Sequence, residues 1–225
     1  ILVTPLVTIG VGVGLSAWWA PALGKAAMKV GSVIMWATDL QPFFMGILVS
    51  VFVGIALTLP ISSAAICAAL GLTGLAGGAA VAGCCAQMVG FAVMSFRENK
   101  WGGLVSQGIG TSMLQMGNIV RNPRIWIAPI VTSAITGPIA TCLFRLQMNG
   151  TAVSSGMGTC GFVGQIGVYT GWMNDIAEGT KTAVTAMDWA GLFLISFILP
   201  AVLCPLINMF VRKLGWVKDG DMTLS

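Results

Sequence analysis

The chain has 225 residues, of which 56% are hydrophobic and only 8% charged, with a formal net charge of +4. A soluble domain carries about 25% charged residues, so this composition cannot cover a water-facing surface. Several uncharged stretches approach or exceed the roughly 20 apolar residues that a helix needs to cross hydrocarbon, so the chain reads as one all-α polytopic membrane domain over residues 1–225.

The first expected crossing is Ile1–Ala20, closed by Trp18, Trp19 and Pro21, the ring types found at a bilayer interface. Lys25 and Lys29 follow, and Gly24–Gln41 reads as a short surface-lying helix ending near Asp39. Pro42 opens a second crossing, Phe43–Leu59, and Pro60-Ile-Ser-Ser caps a Gly- and Ala-rich stretch, Ala64–Ala82. The third crossing, Gly77–Phe96, ends in a polar loop at Arg97-Glu98-Asn99-Lys100.

Gly102–Met116 is apolar but too short and too Gly-rich for a full span, and it is expected to form a re-entrant hairpin. Arg121 and Arg124 flank Pro123 before the fourth crossing, Ile125–Phe144. A second short Gly-rich piece, Gly156–Gly171, is also expected to be re-entrant. A polar loop with Asp175, Glu178, Lys181 and Asp188 leads to the fifth crossing, Trp189–Val211, and a tail with Arg212, Lys213 and Lys218. Five crossings and two re-entrant pieces put Lys25, Lys29, Arg97, Lys100, Arg121, Arg124 and the tail on one face, the cytoplasmic one by the rule for basic loops. The same clusters also suit anionic lipid head groups. Nothing in this pattern points to nucleic acid.

The two Gly-rich pieces resemble each other weakly, Val105-Ser-Gln107-Gly-Ile-Gly110 against Val163-Gly-Gln165-Ile-Gly167, which raises an inverted repeat. Opposed broken elements near the bilayer midplane are a common way to build a solute site. Polar uncharged side chains concentrate there, and amides and hydroxyls both donate and accept, as a neutral sugar requires. The candidate solute contacts are Gln107, Gly108, Gly110, Thr111, Gln115 and Asn118 in the first piece, Thr159 and Gln165 in the second, and Gln87 on the third crossing. Packing across the bundle is the competing role for each. Arg97, Glu98, Arg121 and Arg124 are expected at the cytoplasmic surface. Histidine is absent and the six cysteines lack CxxC spacing, so no metal site, cofactor or self-contained catalytic constellation is expected. Gly10-Val-Gly-Val-Gly14 lies in an apolar span, without the strand and helix that a dinucleotide site requires.

The stretches GCCAQMVGFAVMSFREN from Gly83, GGLVSQGIGTSMLQMGNIVRNPRIWIAP from Gly102 and GMGTCGFVGQIG from Gly156 resemble the enzyme IIC-like membrane proteins of the sugar phosphotransferase system. The likeness points to the subgroup that includes a regulator of perfringolysin expression, and it runs from about Pro42 to GWVKDGDM at Gly215. It implies a sugar-carrying bacterial inner-membrane subunit, usually a homodimer, that works with cytoplasmic phosphocarrier proteins. It also implies further sequence before Ile1. Better-studied members are known for a glutamate and a histidine near the sugar. Here there is no histidine to carry over, and Glu98 and Glu178 are the only glutamates. The alternative function is a membrane sensor that binds a ligand without net transport.

Overall fold

The computed structural model describes residues 32–224 and, isolated from them, Val13, Lys25 and Lys29. The expected first crossing, Ile1–Ala20, lies outside the described residues. Among the described residues the structure is helical and has no strand; only Gly74 and Met148 pair in isolation.

A helix over residues 32–40 leads into α1, Pro42–Thr58, where Pro42 occupies the first turn, in which its missing N–H costs nothing. Pro60 cannot continue the helix, and the Ser62 hydroxyl accepts from the Ala65 amide at 3.2 Å to start α2, Ser63–Leu70. Gly71, in the left-handed conformation, ends α2. Helix α3, Gly74–Met94, follows with 21 residues, almost all buried.

Helix α4, Phe96–Val105, is broken at Lys100 and continues into a π-type turn, Ser106–Gly110. A short 3-10 turn, Ser112–Gln115, and α5, Met116–Arg121, lead back. Among the described residues, α6, Pro123–Leu143, and α8, Ala186–Lys213, are with α3 the three helices long and apolar enough to cross a membrane. Between them lie a single turn at Ala152–Ser155 and α7, Val163–Ala177.

Helices α1, α3, α6 and α8 pack together with α3 at the centre. The strap after α6 pairs with the start of α3, Met148 and Gly74 exchanging backbone bonds of 2.9 and 3.0 Å, and this marks the Arg145 end of the bundle. Arg212 of α8 meets Glu98 of α4 at the opposite, Arg97, end. Arg97, Lys100, Arg121, Arg124, Arg212, Lys213 and Lys218 all belong to the Arg97 end, and Arg145 and Lys181 to the other.

Both Gly-rich pieces fold as hairpins that enter from opposite ends. The lower one rises along α4, where Gln107 bonds Ser95, turns at Gly108–Ser112 and descends through α5. The upper one descends from Met148 past Ser154 to Gly158, which lies against Cys84 midway along α3, and α7 climbs back to Asn149. A Cβ at Gly158 would strike Cys84, and its φ of +53° suits glycine. The tips touch where the Thr159 hydroxyl donates to the Gly108 carbonyl at 2.5 Å.

Several expectations need correction. Phe43–Leu59 does not run between the two ends: α1 starts at the Arg145 end, where Thr141 Oγ1 bonds the Pro42 carbonyl at 2.7 Å, and stops beside Gln87. Helix α2 then returns, bringing Leu72 against Val49, so α1 and α2 form a third hairpin. Pro60 and the Ser62 cap enforce this reversal. Residues 32–40 therefore approach the Arg145 end, not the Arg97 end. The resemblance between the Gly-rich pieces does not extend to conformation either. Gln107 lies in a π-type turn before its tip and Gln165 in regular helix after its tip. Asp175, expected in a loop, lies in α7.

The central position of α3 depends on its missing side chains. A Cβ at Gly83 would fall on the Ser50 carbonyl of α1. Gly83→Ala should cost about 1–3 kcal/mol through overpacking, read as a lowered melting temperature in detergent. Gly102→Ala, facing open space, should leave it unchanged or slightly higher.

Candidate functional site

The hairpin tips meet among buried polar side chains, and most of these are saturated by one another. Gln87, on α3, accepts through Oε1 from Thr58 Oγ1 at 3.2 Å and Trp126 Nε1 at 2.9 Å, and its Nε2 lies 3.5 Å from Ser133 Oγ. It thereby ties α1, α3 and α6 together, and the 2.9 Å pair Thr58–Ser112 adds the lower tip.

Gln107 Nε2 donates to Ser95 Oγ at 2.8 Å and to the Gly103 carbonyl at 3.0 Å, while its Oε1 accepts from Gln115 Nε2 at 2.9 Å. Gln115 Nε2 also donates to the Met222 carbonyl at 3.0 Å, and its Oε1 accepts from Asn118, which donates onward to the Thr223 carbonyl. Gln107, Gln115 and Asn118 form an amide ladder between the two arms of the lower hairpin and the C-terminal tail. In this conformation the side-chain amides of Gln107 and Gln115 and the Asn118 Nδ2 are engaged within the protein. Thr111 caps the Met113 amide at 3.2 Å, and nothing surrounds the Gly110 Cα where a side chain would go. Gly108 borders an apolar cavity of about 240 Å³ with Val89, Ala92, Leu104, Phe162 and Phe197.

Gln165 differs from the other amides. Its Nε2 lies 3.3 Å from the Cys85 thiol of α3, and its Oε1 has no partner. Ser196 of α8 also neighbours that thiol and is fully buried, and apart from the thiol its hydroxyl has no partner. A buried polar atom left unmet costs about 1–3 kcal/mol, and native interiors hold few of them. Two such atoms lie around one thiol, at the depth where the upper tip reaches α3. Ser196 escaped sequence reasoning, although it alone interrupts the apolar run Leu192–Ile198.

At the Arg97 end Glu98 is helical and its side chain only 9% exposed. Its carboxylate accepts from Arg212 Nη2 at 2.9 Å, from the Gly220 amide at 3.2 Å and from the Met222 amide at 2.8 Å. Asn99 brackets the same tail through the Met222 carbonyl and the Leu224 amide, each at 2.8 Å. Asn122 bonds the Trp216 carbonyl and Asp221, and the Arg124 guanidinium stacks 5.6 Å above Trp216. The expected surface loop is thus a clamp on the tail, with Met222 fully buried beneath it; Arg121 stays exposed and Arg97 borders a shallow cavity with Asn208 and Arg212. Glu98→Gln removes the charge and turns one of the two accepting oxygens into a donor facing an N–H group. It should free the tail and speed tryptic cleavage at Lys218 by about tenfold or more, the worth of a hydrogen bond to a charged group, with cleavage followed by mass spectrometry.

Comparison with known proteins yields one family. Its model, described as the phosphotransferase system EIIC, matches residues 1–224. No curated protein and no solved structure matches the chain. A match over nearly the whole sequence fits the helical, apolar fold with broken hairpins, and it makes this chain a membrane transport component associated with that system. The chain belongs to the phosphotransferase system EIIC family.

Proposed function

We propose that the chain carries a small polar solute, a sugar, across the bacterial inner membrane through a site between the two hairpin tips. The observation that carries this reading is the pair of unmet buried polar atoms, Gln165 Oε1 and Ser196 Oγ, around the thiol of Cys85, a residue against which the upper tip packs. A sugar hydroxyl can donate to the amide oxygen and either accept from or donate to the serine. The tips are joined by a single hydroxyl-to-carbonyl bond, which is weak enough to open and close as one hairpin shifts against the other. In this reading both hairpins are re-entrant from opposite faces.

The clustering of Lys and Arg at the Arg97 end supports a cytoplasmic tail and a surface there for phosphocarrier partners and anionic lipid. Homodimerisation is proposed from family likeness alone. Neither glutamate is near the tips, since Glu98 clamps the tail and Glu178 faces the cavity at the Arg145 end. The Gln165 and Ser196 site therefore serves binding and passage, and supplies no acid or base for phosphoryl transfer.

In proteoliposomes, uptake of labelled sugars should saturate. Gln165→Ala and Ser196→Ala should each raise half-saturation by about tenfold, the scale of a lost polar contact in a closed site. Ser196→Ala should also hold or raise the melting temperature, because it removes an unsatisfied hydroxyl. Unchanged half-saturation in both variants would sink the site, and uptake that rises without limit would indicate a passive channel. A second reading, a sensor, is favoured by the tail clamped to the lower hairpin, a direct link from the interior to the surface. Sugar binding without uptake, together with co-purification of a regulatory protein that depends on the tail, would select it.

A further inference from the structure

The Arg145 end holds a cavity of about 370 Å³ that the transport reading does not use. Its size lies within the range of small-molecule sites. The strap after α6 supplies Arg145 and Asn149, α7 supplies Trp172 and Asp175, Glu178 follows directly on α7, and Lys181 and Asp188 close the wall before and within α8.

Several of these groups are already engaged. Asp175 receives the Asn149 amide on both oxygens, at 3.0 and 2.9 Å. Asp188 Oδ2 accepts from the Thr185 amide and hydroxyl and from Lys181, at 2.7 to 2.8 Å, and the Lys181 ammonium also lies 5.3 Å over the Trp172 ring. Arg145 and Glu178 stand apart, their side chains having no hydrogen bond or ion pair among the described residues. Arg145 is moreover held at φ +46°, a left-handed conformation that costs a non-glycine residue roughly 1–2 kcal/mol. Such strain persists where the surroundings over-determine it, often at ligand sites. Here the surroundings are the paired strap at Met148 and the buried Leu146.

We propose that this cavity is a second binding site, for a neutral or amino-bearing polyhydroxylated solute. A free guanidinium donor and a free carboxylate acceptor on one rim suit vicinal hydroxyls, with the engaged amide of Asn149 and carboxylate of Asp175 offering further lone pairs and fixed geometry. Three carboxylates against two cations leave one negative charge in excess, which repels sugar acids and sugar phosphates and favours an amine. The binding chemistry stands by itself; its role as a first station for the transported solute rests on the transport reading.

A fluorophore on Thr182→Cys, beside Lys181, in a Cys142→Ala and Cys160→Ala background, reports occupancy of this end whether or not uptake occurs. With the full chain in nanodiscs, glucose, mannitol and glucosamine should each give a saturable change, glucosamine at the lowest concentration and glucuronate at the highest. Glu178→Gln and Arg145→Gln should each shift half-saturation by about tenfold, the scale of a hydrogen bond to a charged group, and Gln165→Ala should not move it. The proposal is overturned by no saturable change with the three solutes, by a change that neither variant shifts, or by a preference for glucuronate. A sound local signal with failed uptake overturns the transport reading and leaves this site standing; unchanged uptake kinetics with no local signal does the reverse.

Discussion

The approach of α1 to α3 at Gly83 is the constraint on which the rest of the structure depends. Two apolar helices in lipid gain little from hydrophobic burial against each other, so they must gain from close packing. With no side chain at Gly83, the Ser50 carbonyl of α1 comes against the α3 backbone. Ser50 then turns its hydroxyl to the Ser133 carbonyl of α6 at 2.7 Å, and Cys204 of α8 settles over Gly90 on the next part of α3. The four helices crowd round a slender centre, and the freed volume admits three hairpins.

A hairpin tip in an apolar interior exposes backbone groups that water cannot reach, so the sequence must meet them from within. The solutions differ between the tips. The α1–α2 tip uses Thr58 and Ser63, the lower one the amide ladder, and the upper one the Thr159 hydroxyl. Against this nearly complete satisfaction the unmet atoms at Gln165 and Ser196, both beside Cys85 of α3, are conspicuous. Charge, in contrast, is banished to the two ends, where it clamps a tail at one and lines a cavity at the other.

Much of this was legible in the residues. Hydropathy and length identify α3, α6 and α8, because a spanning helix needs only apolar extent. Shortness and glycine set the two Gly-rich pieces apart from these long spans. The reversal after α1 was not legible, since 17 apolar residues followed by Pro-Ile-Ser-Ser fit both a crossing with a capped successor and a hairpin. The choice between them is made by Thr58 and Ser63 finding partners far along the chain. The amides divide in the same way. Composition marks Gln87, Gln107, Gln115 and Gln165 as polar groups in an apolar setting, but whether each is a joist or a contact is set by neighbours 12 to 107 positions away in sequence. Glu98 takes its meaning from Met222, 124 residues on.

The clamped tail also imposes an order on biosynthesis. Gln115 and Asn118 complete their hydrogen bonds only with Met222 and Thr223, and 107 residues separate Gln115 from Met222. At about 5–20 residues per second the ribosome needs roughly 5–20 s to make that interval. Throughout it the lower hairpin exists with part of its amide ladder open, while α6 and α8 are still being inserted. Until Met222 and Thr223 emerge the ladder holds only its bonds within the hairpin, so its closure onto the tail is one of the last steps of assembly.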